Sequence, residues 1–307
     1  MSHQISCVAI TGAFGNLGWK LIQHLATNQV VPKIIGLDLR GPNDAQMRVI
    51  EQFAGQTDIG WVEANLTDWH DQSWRDSINS ADAVVHFAAQ NPYPEASWGD
   101  SAASIDINLN VAQAAADSPK TSRLVFATSN HVMGRYKDSP LAEQVGAGEL
   151  TPDLEPGVGT VWHTGETLMD KPAYAVAKFA GERICMALGR RGAGKISYAC
   201  IRIGWCQPGD NRPGTLSATG SPTLTSEGGV IADPASHARD ERWFKSMWLS
   251  NRDFVHLFER AILADGANWP NHAILVNGMS NNSGMKWSLE ATKRWLDYQP
   301  QDNVFQE

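Results

Sequence analysis

The sequence contains few cysteines, and their spacing excludes the common zinc sites and disulfide frameworks. The 307 residues include four, Cys7, Cys185, Cys200 and Cys206. Zinc sites use closely paired Cys and His ligands, and the sequence places no such pair at these positions. Cys7 and Cys200 lie in apolar runs typical of strands, and Cys185 lies in a helical one. We therefore expect reduced, buried thiols of the cytosolic kind, and no metal.

Long apolar runs and positive charge are also scarce. No run approaches the ~20 apolar residues of a membrane-spanning helix, and Met1–Gln4 lacks the basic and apolar regions of a signal peptide. The 25 lysines and arginines are outnumbered by 33 acidic residues, for a net charge of −8. They form no basic stripe of the kind that binds nucleic acid. We expect a cytoplasmic protein that binds neither a membrane nor nucleic acid.

What the sequence does contain is a glycine-rich turn near its N-terminus. Thr11–Gly18 reads TGAFGNLG, follows the apolar run 5–10 and precedes leucines at helical spacing. In a strand–turn–helix unit of this kind, Gly12 permits the tight turn, Gly15 lets a phosphate approach the backbone and Gly18 lets the helix pack closely. The helix N-terminus then offers N–H groups to a pyrophosphate. The pattern predicts dinucleotide binding.

An aspartate ends the next apolar run. Lys33–Asp38 is typical of a strand, and Asp38 follows Gly18 by 20 residues. An acidic side chain at this distance accepts hydrogen bonds from the adenosine ribose and repels a 2′-phosphate. The expected cofactor is therefore NAD rather than NADP. Arg40 is close enough to soften this preference, because a guanidinium suits a phosphate.

Apolar runs alternate with helical patterns along most of the chain. We predict strands over 5–10, 33–38, 59–63, 83–89, 123–128, 196–203 and 273–276. One predicted helix ends near 56 and another begins at 172. Three more cover 101–117, 254–264 and 285–296. This order predicts an α/β fold with a doubly wound parallel sheet of the Rossmann type. Ligands collect at the carboxyl ends of such strands, where Ala88, Ala89 and Ser129 lie.

Two long segments interrupt this alternation. Residues 137–171 and 208–240 are rich in Gly and Pro, and each follows a strand on the expected ligand side. Loops of this length in compact domains are usually functional or disordered. We expect both to fold over the substrate as a lid, with Trp162 and His163 offering an aromatic face and a titratable donor. A subunit interface is the alternative.

Tyr174 and Lys178 lie four residues apart in the helix that begins at Pro172. Residues at this spacing share one helix face. A nearby ammonium favours the phenolate, so we expect Lys178 to lower the pKa of Tyr174 from ~10 toward working pH. Such a tyrosine can take the proton of a substrate hydroxyl. Ser129, at a neighbouring strand end, would hydrogen-bond the same oxygen.

With its motifs in this order, the chain resembles the extended short-chain dehydrogenase/reductases. Their T-G-x-x-G-x-x-G and Y-x-x-x-K motifs match Thr11–Gly18 and Tyr174–Lys178. Ala127–Gly134, with the sequence ATSNHVMG, is also similar to a signature of uronate dehydrogenases and related sugar dehydrogenases. The resemblance implies a Rossmann-type fold with a small C-terminal substrate-binding lobe. It implies a single domain over 1–307, with an NAD-binding part at 1–136 and 172–204 and a substrate lobe and lid at 137–171 and 205–285.

The resemblance also implies roles for individual residues. Ser129, Tyr174 and Lys178 are the expected catalytic residues. The expected NAD contacts are Gly12, Phe14, Gly15, Asn16, Leu17, Gly18, Asp38, Asn65, Leu66, Ala88, Ala89, Tyr174 and Lys178. The expected substrate contacts are Gln90, Ser129, Asn130, His131, Arg212 and Arg242.

Three features depart from the family pattern or leave it open. Asn65 stands where an aspartate is usual. The family's structural asparagine in the fourth helix stays unassigned, because Ser104 takes its place in the alignment and Asn108 and Asn110 lie later. The arginine that binds a sugar carboxylate is also open between three candidates, Arg212, Arg239 and Arg242.

The expected activity is NAD-dependent oxidation of a sugar or sugar acid, uronate-like or another anionic aldose, at its anomeric hydroxyl to a lactone. We expect the enzyme to be a homo-oligomer. A nucleotide-sugar epimerase or dehydratase is the first alternative, although dehydratases of this family carry Asp-Glu where Asn130–His131 follows Ser129. The second is a non-catalytic NAD sensor. Such sensors usually lack the Tyr/Lys pair.

Overall fold

The chain folds around a sheet of seven parallel strands. The computed structural model describes residues 4–90, 97–163, 168–170, 172–192, 194–216 and 234–306. The strands of the sheet are β1 (Cys7–Thr11), β2 (Lys33–Asp38), β3 (Asp58–Glu63), β4 (Ala83–His86), β5 (Arg123–Ser129), β8 (Ser197–Ile203) and β9 (Ala273–Gly278). A separate antiparallel pair is formed by β6 (Val161–His163) and β7 (Leu168–Asp170).

Eight helices are described alongside these strands. They are α1 (Asn16–Thr27), α2 (Asp44–Gln52), α3 (Gln72–Ser80), α4 (Trp98–Asp117), α5 (Pro172–Arg191), α6 (Pro234–Ser246), α7 (Asn251–Leu263) and α8 (Glu290–Leu296). The strand order is β3-β2-β1-β4-β5-β8-β9. This confirms the doubly wound α/β fold that the sequence predicts. The order reverses between β1 and β4, where sheets of this type form a ligand-binding crevice.

Alternate residues of β1 enter two different cores. Val8 and Ile10 pack in the core that includes α1 and α7. Cys7 and Ala9 pack in the core that includes α3, α4 and α5. A strand buried on both faces has a continuous apolar sequence, which is why this one is readily predicted.

β4 is shorter than the sequence predicts. It ends at His86 rather than at residue 89. The chain leaves the ladder here because the backbone N–H of Ala88 donates to the side-chain Oγ1 of Thr11, at 3.1 Å. This bond draws the segment after β4 toward the glycine turn.

The C-terminal third differs most from the predicted elements. Residues 285–289 are not helical, and α8 begins only at Glu290. The reason is a backbone pairing with Leu150, whose N–H donates to Lys286 O at 2.8 Å and whose carbonyl accepts from Ser288 N at 3.1 Å. α6 lies partly within the stretch predicted to be irregular, and α3 was not predicted.

The expected C-terminal lobe is not separate from the sheet throughout its length. β9 pairs in parallel with β8, and α7 contributes Phe254, Leu257 and Phe258 to the same core as β1. The division into an NAD-binding part and a substrate lobe stays a prediction for the remaining segments. Residues 164–167 and 217–233 of the predicted lid lie outside the described residues. Within the described ranges, no helix is long and apolar enough to cross a membrane.

Candidate active site

The glycine turn leaves no room for side chains at two of its positions. Gly12 has a φ of +65°, and a Cβ there would lie 2.9 Å from Ala88 N. A Cβ on Gly18 would lie 2.2 Å from the carbonyl oxygen of Gly12. Gly15 is the N-cap of α1 and has no side chain to bind the first-turn N–H groups. Those groups are therefore available to a phosphate, so this turn fits the pyrophosphate of NAD.

Asp38 is fixed at the end of β2 by two backbone N–H groups. Its Oδ2 accepts from Phe14 N at 3.0 Å, and its Oδ1 accepts from Leu39 N at 2.8 Å. A carboxylate has about four lone-pair sites, so acceptor capacity remains for two ribose hydroxyls. The remaining acceptor sites of Asp38 therefore fit the two hydroxyls of the adenosine ribose of NAD.

A cavity of about 540 Å³ connects Asp38 with the carboxyl ends of β4 and β5. It is lined by most of the residues that the sequence predicts for the site. These are Gly12, Gly15, Asn16, Leu17, Asp38, Asn65, Leu66, Ala88, Ala89, Gln90, Ser129, Asn130, His131 and Tyr174. Phe14 and Gly18 do not line the cavity but support residues that do. The backbone N–H of Phe14 donates to Asp38, and Gly18 packs against Gly12.

Asn65 shapes the loop after β3. Its Oδ1 accepts from Thr67 N at 3.1 Å and from Thr67 Oγ1 at 2.9 Å. Asn110 of α4 holds the same loop, because its Nδ2 donates to Leu66 O at 2.9 Å. The asparagine that replaces the usual aspartate therefore closes a local turn at the cavity wall.

Ser129, Tyr174 and Lys178 come together at the carboxyl end of β5. Ser129 is the last residue of that strand, and the other two lie one turn apart on α5. Ser129 and Tyr174 both line the cavity, and the Ser129 hydroxyl is near enough to act on the Tyr174 phenol. Lys178 Nζ donates to Ala127 O at 2.8 Å and lies 5.9 Å from the centroid of the Tyr174 ring. This arrangement can hold a substrate hydroxyl and remove its proton.

Burial shifts the pKa values of Tyr174 and Lys178 in opposite directions. Desolvation raises the pKa of Tyr174, and its hydrogen bond with Ser129 acts against this rise. Desolvation also lowers the pKa of Lys178 to about 8. The predicted net lowering of the Tyr174 pKa is therefore wrong for this structure, because desolvation outweighs the lowering by Ser129.

Asn108 is the asparagine of α4 that binds α5 and β4. Its Nδ2 donates to Ala177 O at 3.1 Å, and its Oδ1 lies 3.0 Å from Nε2 of the buried His86. Ala177 directly precedes Lys178 on α5, so Asn108 ties α4 to the helix that carries Tyr174 and Lys178. Ser104 has a different task, since its Oγ donates to Gln90 O and accepts from Gln90 N.

A buried ion pair anchors the same helix to the sheet. Arg202 of β8 binds Glu182 of α5 through two hydrogen bonds of 2.9 and 2.8 Å. Thr128, the residue before Ser129, donates to Glu182 at 2.8 Å. Both charged side chains are fully buried, and a bidentate pair of this kind is highly directional. α5 is therefore held against the strand ends that carry the site.

Asn130 and His131 extend the site beyond Ser129. Asn130 Nδ2 donates to Ile203 O at 3.1 Å, which joins the ends of β5 and β8. His131 Nδ1 lies 2.8 Å from Thr160 Oγ1, and its ring meets the Tyr174 ring edge-on at 5.8 Å. Both residues line the cavity, as the sequence predicts.

The two arginines predicted to bind substrate do not line this cavity. Arg212 is exposed, and its Nη2 donates to Asp210 Oδ2 at 2.7 Å. Arg242 is also exposed, with its guanidinium 5.5 Å from the centroid of the Phe305 ring. The expected arginine contact with a sugar carboxylate is corrected accordingly: both side chains point to partners outside the site.

An aromatic wall, made by Trp162, Trp205 and Phe244, borders the cavity beside His131. The sequence predicts Trp162 at the substrate but gives no such role to Trp205, Phe244 or the neighbouring Met247. Trp205 follows directly after β8 and Gly204, a strand-end position that could have pointed to it. Phe244 offered no such signal, because α6 was not predicted. The side chain of His163 lies outside the described residues.

Comparisons with known proteins agree with this geometry. The profile described as the NAD dependent epimerase/dehydratase family matches residues 8–205, more than half of the chain. L-arabinose 1-dehydrogenase (NAD(P)(+)) of Haloferax volcanii is 29% identical over 311 residues, covering 96% of this chain and 96% of that protein. NAD-dependent glucose-6-phosphate dehydrogenase of the same organism is 29% identical over 302 residues, covering 96% of this chain and 93% of its own.

Solved structures show the same architecture. UDP-glucuronic acid 4-epimerase from Bacillus cereus, in complex with UDP-glucuronic acid and NAD, superposes with a TM-score of 0.63. The match covers 97% of this chain and 95% of the epimerase at 15% sequence identity. At this level of identity the likeness shows the fold alone.

Proposed function

Since the chain belongs to the NAD dependent epimerase/dehydratase family and is an NAD-dependent enzyme, we propose that it oxidises a sugar at its anomeric hydroxyl to a lactone. The observation that carries this proposal is that Ser129 and Tyr174 line the same cavity as Asp38 and the glycine turn. Two relatives that align along almost the whole chain are named as dehydrogenases of aldoses, which supports it.

The residues that would hold the cofactor follow the cavity from one end to the other. The N–H groups after Gly15 would bind the pyrophosphate and Asp38 the adenosine ribose. Lys178, next to Tyr174, would bind the nicotinamide ribose. When bound, NAD supplies the acceptor for the hydride that leaves the anomeric carbon.

Tyr174 removes the proton from the anomeric hydroxyl as the C–H bond of the same carbon breaks. The carbon–oxygen bond becomes the carbonyl of the lactone, and the phenol carries the proton. Ser129 hydrogen-bonds the reacting oxygen and fixes its position relative to Tyr174. Lys178, whose pKa is lowered to about 8, is an ammonium at neutral pH and stabilises the phenolate that must form.

The test is a screen for NADH formation with aldoses, uronates and sugar phosphates, in which the sugar product is identified by NMR. We expect stoichiometric NADH and lactone from at least one aldose, and none of either with Tyr174→Phe. Redox-neutral conversion of a nucleotide sugar, without net NADH, would replace the proposal with an epimerase. Binding of NAD without turnover of any sugar would replace it with a sensor.

A further inference from the structure

The substrate side of the cavity combines an apolar surface with unused polar groups. Trp162 and Trp205 each meet Phe244 edge-on, with ring centroids 5.7 and 6.1 Å apart, so the aromatic wall is continuous. Sites of this composition bind ligands that pair an apolar face with a few hydrogen-bonding groups. A sugar ring has such an apolar face in its C–H bonds.

A buried acceptor beside this wall has no partner among the described residues. Asn130 Nδ2 is used by Ile203 O, but Asn130 Oδ1 is buried and makes no hydrogen bond there. Buried polar atoms in folded proteins are nearly always satisfied. Asn130 is also among the residues that line the cavity, which is where a donor for Oδ1 could come from. Gln90 adds an amide to the same lining.

No lysine or arginine is among the described residues that line the cavity. His131 is the lining side chain that can carry a positive charge, and its Nδ1 is already 2.8 Å from Thr160 Oγ1. Asp38, at the other end, is negative. The described lining therefore offers no arginine or lysine to pair with a carboxylate or phosphate on the substrate.

Three cationic side chains in or beside the two lid segments, 137–171 and 208–240, form ion pairs with carboxylates. Arg135 binds Asp170 at 2.8 Å, Arg239 binds Asp138 at 3.1 Å and the buried Lys137 binds Asp138 at 2.9 Å and Asp240. These pairs join β7, α6 and the chain before residue 141. They serve to hold the walls of the cavity together.

The sequence of the remaining segments adds almost no positive charge. Residues 91–96, 164–167 and 217–233 contain no lysine or arginine, but they contain Glu95, Glu166, Glu227 and Asp233. Among residues outside the described ranges, the sequence has one lysine or arginine, Lys171. An anion in a largely apolar site needs a paired cation, because desolvation of an unpaired charge is unfavourable.

We propose that the substrate is an uncharged aldose, and that aldoses carrying a carboxylate or a phosphate are poor substrates. The inference rests on the proposed function and replaces the anionic aldose expected from the sequence. The aromatic wall packs against the C–H face of the sugar, while Asn130 and Gln90 bind its hydroxyl groups. Selectivity against anions comes from the lack of a lysine or arginine among the described lining residues, since the nearby Lys178 donates to Ala127 O and serves Tyr174 and the cofactor.

The test compares substrates that differ in charge at one carbon. Glucose, glucuronate and glucose 6-phosphate form one set, and galactose and galacturonate form another. We expect kcat/KM for the uncharged member of at least one set to exceed that of its anionic counterparts by on the order of 100-fold. A uronate or phosphate that matches or exceeds its uncharged counterpart overturns the proposal.

A binding measurement separates this inference from the proposed reaction. In Tyr174→Phe loaded with NAD, calorimetric titration should show binding of the uncharged sugar and much weaker binding of the anionic one. The same discrimination in a wild-type enzyme that makes no lactone would reject the proposed reaction and keep the substrate class. Tighter binding of the anionic sugar, or binding of neither, rejects the substrate class.

Three variants test the residues involved. Phe244→Leu should raise KM for the sugar several-fold with an unchanged Kd for NAD, whereas Trp98→Leu, exposed on α4, should change neither. Gln90→Arg should raise kcat/KM for the uronate relative to the uncharged sugar, because it supplies the lacking cation. Lys171→Ala should leave that ratio unchanged. A loss of uronate activity in Lys171→Ala would show that this lysine binds the carboxylate and would contradict the proposal.

Discussion

Oδ1 of Asn108 lies 3.0 Å from Nε2 of the buried His86. The other ring nitrogen, Nδ1, lies 2.7 Å from Thr11 Oγ1, which accepts from Ala88 N. The only assignment that satisfies every group has the proton on Nε2, with Thr11 donating to Nδ1 and Asn108 Nδ2 donating to Ala177 O. One chain of hydrogen bonds thus joins the glycine turn to α5.

Replacement of Asn108 should weaken both folding and catalysis. Asn108→Ala leaves the Nε2–H of the buried His86 unpaired, at a cost of about 1–3 kcal/mol, and removes the side-chain donor to Ala177 O. We expect a lower free energy of unfolding, and a lower kcat from displacement of α5. Denaturant unfolding and steady-state kinetics measure the two effects. Asn110→Ala is the control, because it frees a carbonyl at the edge of the cavity and should cost less.

The same imidazole should make stability fall in acid. Burial and the charge of Lys178 together lower the pKa of His86 to about 3. The unfolded chain therefore binds this proton at a higher pH, near 6.5, than the folded one. Stability from the neutral imidazole is complete above pH ~6.5 and declines as pH falls from there toward 3. His86→Gln should flatten the free energy of unfolding over this window; an unchanged slope would contradict the assignment.

Tyr174→Phe should abolish turnover without harming the fold. The substitution removes the base and little volume, and positioned acid–base groups contribute ~10²–10⁴-fold to rate. We expect kcat to fall by at least ~10²-fold, while the Kd for NAD stays close to the wild-type value. A variant that keeps most of its kcat would show that another group takes the proton.

The pH dependence of kcat/KM should respond to Ser129. Burial raises the pKa of Tyr174, so the active phenolate grows in as pH rises, and activity should increase toward alkaline pH. Because the hydrogen bond with Ser129 lowers that pKa, Ser129→Ala should move the rising limb to higher pH and reduce kcat. A limb that stays in place, or moves to lower pH, would contradict this assignment.

Asp38 should set the cofactor preference. Its carboxylate lines the cavity, where we propose that it binds the adenosine ribose, so we expect kcat/KM to favour NAD over NADP. Asp38→Asn removes the repulsion of a 2′-phosphate, so the ratio of kcat/KM with NAD to kcat/KM with NADP should fall. Arg40→Ala added to Asp38→Asn should restore part of the preference for NAD, because it removes a guanidinium that suits the phosphate. Equal use of both cofactors by the wild type would show that Asp38 does not select.

The cofactor half of the site was predictable because its residues follow one another along the chain. Strand, glycine turn, helix and Asp38 are set by local spacing, and the structure places them as the pattern requires. Tyr174 and Lys178 were predictable for the same reason, since helical spacing fixes their common face. Their pKa values were not, because desolvation depends on burial by distant segments.

The substrate half depends on contacts between residues far apart in sequence. Phe244 meets Trp162 only because Lys137, Asp240 and the backbone pairing of Trp205 with Met247 hold α6 over the strand ends. Arg212 and Arg242 have the chemistry for an anionic substrate, and sequence alone could not show that they face away. That no lysine or arginine is among the described residues lining the cavity becomes visible only in the folded chain.

The most direct test of the central claim follows the hydrogen on the anomeric carbon. An uncharged aldose labelled with deuterium at C1 is incubated with the enzyme and NAD, and both products are examined by NMR. The account predicts that the deuterium appears on the nicotinamide ring of NADH, in equal amount to an unlabelled lactone, and that Tyr174→Phe transfers none. Deuterium that stays on the sugar, in a reaction that forms no net NADH, would contradict the account.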